Sequence, residues 1–227
     1  MSVMAAAHLP DRVIELAERL GAEGTFAGHC HFRQTGTLRN VGAKKWMRFT
    51  ARQWISANDC QFRWVARVGL MGAVRVTDAL LHDIPAGSVK LFGLVPLARA
   101  SAGDDLLKGQ LLRYLAELPW CPDGIFCNRS LRWEVVTDTH FQIGARIKYV
   151  EAELNLFLDD EGLPARIQAI RPAEQDGVFT DREWQGTFRD YRRIEGRLIP
   201  HVARVWWTLD GAPFDVWRGT IGNWSSS

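Results

Sequence analysis

Arg113 and Glu117 stand four residues apart in a segment of helical period, so their side chains share one helix face. In that order the pair supports an exposed helix only weakly. Placed over an apolar concavity, it would be a polar anchor for a ligand. Gln53 and Asp78 each interrupt an otherwise apolar strand face. A buried carboxylate needs compensation. Asp78 is therefore expected to pair with an arginine such as Arg33, to cap a backbone group, or to sit in a polar cavity with a raised pKa suited to a general acid or base. Trp64, Trp120 and Trp133 are candidates for aromatic pocket walls and equally for core packing. Arg33, Gln53, Trp64, Asp78, Arg113, Glu117, Trp120 and Trp133 form the candidate ligand-binding set.

Other chemistries find less support. His29 and His31 point to one side of a strand, which can begin a metal site, but no third ligand accompanies them. Cys30, Cys60, Cys121 and Cys127 form no C-x-x-C pair and fit no zinc spacing, so free thiols and no metal are expected. No serine sits in a nucleophile elbow, and no glycine-rich loop opens a helix to cradle phosphate. No cofactor is implied.

Strands must position these residues. After a short amphipathic helix at 10–21 with Val13, Leu16, Ala17 and Leu20 on one face, the period changes to two. Alternating segments follow at 26–34, 46–55, 62–68 and 74–80, and 87–95 suggests a further strand, more apolar on both sides. Gly103-Asp104-Asp105 then opens a helix over 104–118 that stops at Pro119. Leu107, Leu111, Tyr114, Leu115 and Leu118 make its apolar stripe; Leu106, Gln110, Arg113 and Glu117 make a second stripe beside it. Strands resume at 131–137, 140–150, 151–158, 163–170, 183–192, 201–209 and 213–221, with turn signals at Asp159–Gly162, Glu195-Gly196 and Asp210-Gly211. The expected fold is mainly β: one large, curved antiparallel sheet over 24–222, with the inserted helix covering its concave face, in a single domain spanning 1–227.

Bulk properties narrow the partners. The apolar fraction of 47% is enough for a sizeable core, and the net charge of +2 gives no electrostatic argument for nucleic acid. The N-terminal sequence MSVMAAAHLPDRVIELAERLG lacks the basic start and apolar run of a secretory signal, and no window reaches the length of a membrane span. The expected location is the cytoplasm. Ten tryptophans are the unusual number, because Trp favours binding surfaces as well as cores.

A set of ordered motifs carries a family resemblance: F-R-Q-T-G at Phe32–Gly36, W-M-R-F-T-A-R-Q at Trp46–Gln53, F-R-W-V-A-R at Phe62–Arg67 and G-Q-L-L-R-Y-L-A-E-L-P-W-C-P at Gly109–Pro122. L-R-W at Leu131–Trp133, D-D-E-G at Asp159–Gly162, W-Q-G-T-F-R-D-Y at Trp184–Tyr191 and G-R-L-I-P at Gly196–Pro200 continue it. With these, the chain resembles a bacterial family of unknown function. The resemblance implies a half-barrel like that of the periplasmic lipoprotein carriers, which hold acyl chains in an apolar concavity. An enzyme of violacein biosynthesis resembles the same half-barrel, so the architecture also permits catalysis. The leading expectation is a module that binds a small, largely apolar or amphipathic molecule. The alternatives are a cofactor-independent enzyme using Asp78 or Glu117 as acid/base, and a protein-interaction scaffold.

Overall fold

The computed structural model describes residues 9–26, 28–92, 95–99, 103–175 and 178–227. Thirteen strands make one antiparallel sheet, curled into a half-barrel. Two meanders build it. The first comprises β1 (His29–Leu38), β2 (Met47–Ser56), β3 (Phe62–Val68), β4 (Val74–Leu81), β5 (Ile84–Leu91) and β6 (Val95–Arg99). The second comprises β7 (Arg132–Thr137), β8 (His140–Ile147), β9 (Val150–Leu158), β10 (Pro164–Gln175), β11 (Val178–Ile194), β12 (Arg197–Leu209) and β13 (Ala212–Ser226). First and last strands pair, so the order runs from β6 to β1, then β13, and back to β7.

The turns explain the strand boundaries. Glu195-Gly196 and Asp210-Gly211 have positive φ at both residues, the geometry whose twist matches a two-residue hairpin. His82 and Asp83 adopt the same conformation without glycine, at φ of 49° and 62°. That turn separates β4 from β5, so the expected strand at 87–95 is corrected: β5 starts at Ile84, and the segment runs across the β5–β6 connection.

Among the described residues three α-helices close the structure. α1 (Asp11–Arg19) ends at Gly21, whose φ is +75°. α2 (Asp104–Ala116) lies in the concavity and touches β4 and β5 on one arm and β8, β9 and β10 on the other. It is buried almost all round, Gln110 included, because both of its stripes face protein. After a 3-10 turn at Leu118–Trp120, α3 (Asp123–Cys127) packs on α1. This last helix was not expected from the Pro/Cys/Gly-rich segment that contains it. The main core joins α1, α2 and the concave face of the sheet. No helix among the described residues is long and apolar enough to cross a membrane.

Candidate functional site

Register assembles the site. Phe32, Gln53, Trp64, Asp78 and Gly87 are successive cross-strand partners on β1 to β5, so one row on the concave face carries three of the polar or aromatic candidates. On the opposite arm Ala169, Trp184 and Trp207 form a matching row across β10, β11 and β12. α2 lies between the rows. Its Arg113 is set over Phe62 and Trp64, with ring centroids at 5.1 and 5.0 Å.

A polar chain results. Arg113 Nε donates to Glu117 Oε1 at 2.9 Å and Arg113 Nη1 to Asp78 Oδ2 at 2.7 Å. Gln53 Nε2 donates to Glu117 Oε2, while Gln34 Nε2 donates to Gln53 Oε1 at 3.1 Å. Trp64 Nε1 donates to Gln34 Oε1 at 2.6 Å. Burial pushes the Glu117 carboxyl above its ordinary value, against the pull of Arg113 and the bond from Gln53. Burial also disfavours the Arg113 charge, but Glu117 and Asp78 outweigh it and raise its pKa. Both oxygens of Glu117 are occupied. Of the two acid/base candidates, only Asp78 keeps an oxygen, Oδ1, without a hydrogen bond among the described residues.

Beside this chain is a cavity of about 200 Å³. Trp64, Trp120, Trp184, Trp207 and Trp217 give most of its aromatic wall; Asp78, Arg113, Glu117, Gln34, Arg171 and Arg204, which is paired with Asp215, give its polar edge. Trp120 is fixed by a bond from Nε1 to Pro200 O at 2.9 Å and by edge contact with Phe188.

The candidates separate accordingly. Trp64, Asp78, Arg113, Glu117 and Trp120 line the cavity, and Gln53 stands behind them in the chain of bonds. Arg33 does not join them. It lies between inward-facing Phe32 and Gln34 and is exposed on the opposite face, so the expected Arg33–Asp78 pairing is corrected to Arg113–Asp78. Trp133 packs edge-on against Phe141, away from the cavity, and its buried Nε1 has no hydrogen-bond partner among the described residues. His29 is exposed and His31 half-buried, with ring centroids 6.1 Å apart. Among the described residues no group of three potential ligands gathers to hold a metal. All four cysteines are unpaired.

Gln34 and Arg171 line the cavity but are absent from the candidate set, as are Arg204 and the wall residues Trp184, Trp207 and Trp217. Gln34 follows Cys30 and Phe32 on the inward face, and Arg171 interrupts the inward series Ile167, Ala169, Ala173. The interrupted-face criterion that selects Gln53 and Asp78 selects these two as well. Arg171 packs under Gly109 of α2 and donates from Nε to Gly109 O at 3.2 Å. A Cβ at 109 would stand 3.7 Å from Arg171 Nε and 3.8 Å from Nη2, which is ordinary contact. Interior helical glycine costs roughly 0.5–1 kcal/mol relative to alanine. Gly109→Ala is therefore expected to stabilise the protein by about that amount in urea denaturation. A loss of stability would show that Arg171 needs the space.

A curled antiparallel half-barrel with a helix in its concavity and a tryptophan-walled cavity defines a class, and solved structures share its fold. A LolA superfamily protein from Nitrosomonas europaea is similar at 8% identity over 95% of this chain and 92% of its own, with a TM-score of 0.48. A domain assigned provisionally to outer-membrane lipoprotein sorting, from Vibrio parahaemolyticus, matches at 10% identity over 94% and 90%, with a TM-score of 0.51. A DUF1329 family protein from Desulfovibrio piger matches at 8% identity over 94% and 90%, with a TM-score of 0.50. The likeness of fold rests on the last two. The chain itself belongs to a family of unknown function, DUF6544, whose family model matches residues 1–219. No curated protein sequence matches it.

Proposed function

We propose that this protein binds a small, largely apolar molecule in the cavity between α2 and the concave face of the sheet. The observation that carries this reading is the coincidence of five tryptophans with a hydrogen-bonded polar edge in one concave space. Apolar walls supply affinity and the polar edge supplies orientation. The half-barrel likeness supports the same reading, since the Vibrio domain is named for lipoprotein sorting.

A thermal-shift screen of fatty acids, aromatic acids and neutral lipids, followed by native mass spectrometry, tests it. A true ligand at ~100 times its Kd adds about 2.7 kcal/mol to stability and gives a one-to-one complex. Ala203, buried in the cavity wall on β12, provides the control. Ala203→Phe should fill the space and abolish the complex while circular dichroism stays unchanged. Binding that survives this substitution would move the ligand elsewhere, and a screen without any hit would overturn the reading.

A further inference from the structure

We propose that the ligand of this cavity is a small apolar carboxylic acid whose carboxylate is held by Arg171; the inference deepens the binding reading above and rests on it. Two other enclosed arginines each hold two carboxylates, while half-buried Arg39 is held by the backbone carbonyls of Asp215 and Ala43. Arg113 has Asp78 and Glu117, and Arg197 has Asp123 and Glu23. Arg171 lines the cavity, yet among the described residues no carboxylate comes within 4.0 Å of it. Its Nε is used on Gly109 O, while its two Nη groups have no hydrogen-bond partner there. The guanidinium sits 4.6 Å from the Trp184 ring centroid and 5.7 Å from that of Trp207, so its plane is held by aromatic faces.

A guanidinium held in this way offers a fork that matches a carboxylate. The neighbouring acids do not contact it: both oxygens of Glu117 are engaged by Arg113 and Gln53, and Asp78 is engaged through Oδ2 by Arg113. Burial and the nearby Arg113 charge push the Arg171 pKa down to about 10, with Asp78 and Glu117 pulling the other way, so it remains charged at neutral pH. Among the described residues no carboxylate contacts it, and one monoanion would supply that contact. A phosphate dianion would bring a second negative charge beside Asp78, which already lines the space. Volume limits the body of the ligand: about 200 Å³ suits one ring or a short chain, given that a cavity of roughly 150 Å³ accepts benzene.

Isothermal titration of the full chain with phenylacetate against phenylacetamide, and octanoate against octanamide, tests the assignment. In at least one pair the acid should bind about tenfold or more tightly than its amide, the advantage of a charge-assisted hydrogen bond. Arg171→Gln should bring the acid-to-amide ratio to about one, and its melting curve shows whether the variant is folded. The wild-type ratio decides even where that variant fails to fold. Equal binding of acid and amide overturns the carboxylate assignment and leaves the binding reading standing. Binding of neutral lipids alone has the same meaning. Failure of every compound, neutral ones included, overturns both.

Discussion

Asp123→Ala should lower the free energy of unfolding by about 3–5 kcal/mol, the cost of removing one partner from a buried ion pair. Asp123 is fully buried, and it accepts from the Glu23 backbone N–H at 2.6 Å and from Arg197 Nη2 and Nε at 3.2 and 3.3 Å. Those contacts tie the segment after α1, the start of α3 and the start of β12 together. Alanine would leave the Glu23 amide without its acceptor and the enclosed Arg197 with the Glu195 carbonyl and one mostly exposed carboxylate, Glu23. Asp123→Asn keeps an oxygen for the Glu23 amide but loses the charge and sets an amide NH2 against the Arg197 donors in place of one acceptor, so it should fall between the wild type and Asp123→Ala, nearer to the latter. Urea denaturation of the three proteins measures this order. A loss under about 1 kcal/mol for Asp123→Ala would place the pair among weak surface bridges and refute its role as a clasp.

The same contrast between local and tertiary information explains what could be read from the chain. Alternation and Gly-containing turns revealed the mainly β fold and most strands, because period two and positive φ are local properties. The turn at His82-Asp83 was invisible because its residues carry no glycine signal, and the start of β5 was misplaced with it. α3 lay hidden in five residues after a proline, too short for a periodic pattern. Within the site, Asp78 and Gln53 were legible as polar interruptions of an apolar face. Arg113 and Glu117 were legible from helical spacing. The choice of Arg33 as partner failed on parity: it is adjacent to two inward residues and must point outward. What no local pattern could give was the pairing of β1 with β13, which brings the two meanders into one sheet. Arg171 therefore reaches the cavity from a strand far from Asp78 in sequence.

The polar edge itself makes the second strong prediction. Arg113→Met should cost about 3–5 kcal/mol near neutral pH, because Glu117 is then buried without its cation. The cost should depend on pH in a stated direction. Burial raises the folded-state pKa of Glu117 above its unfolded value, near 4.5. Its contribution to stability is therefore fully present below that value and is lost as pH rises through the folded pKa. Removing Arg113 takes away the main force that opposes the rise, so the loss should extend to higher pH in the variant than in the wild type. At acid pH a protonated Glu117 needs no cation, and the penalty of Arg113→Met should shrink. Adding Glu117→Gln to Arg113→Met removes the buried charge while keeping the side chain's shape. The double variant should recover much of the lost stability near neutral pH and lose this part of the pH dependence. Asp78 does not complicate the result greatly, since its side chain is 32% exposed and solvent can compensate it. Unfolding free energies of wild type, both single variants and the double variant, taken from pH 4 to 8, form a complete cycle. Additive effects with no change across that range would show that Arg113 and Glu117 are not electrostatically coupled, and the polar edge of the cavity would have to be redrawn around Asp78 and Arg171.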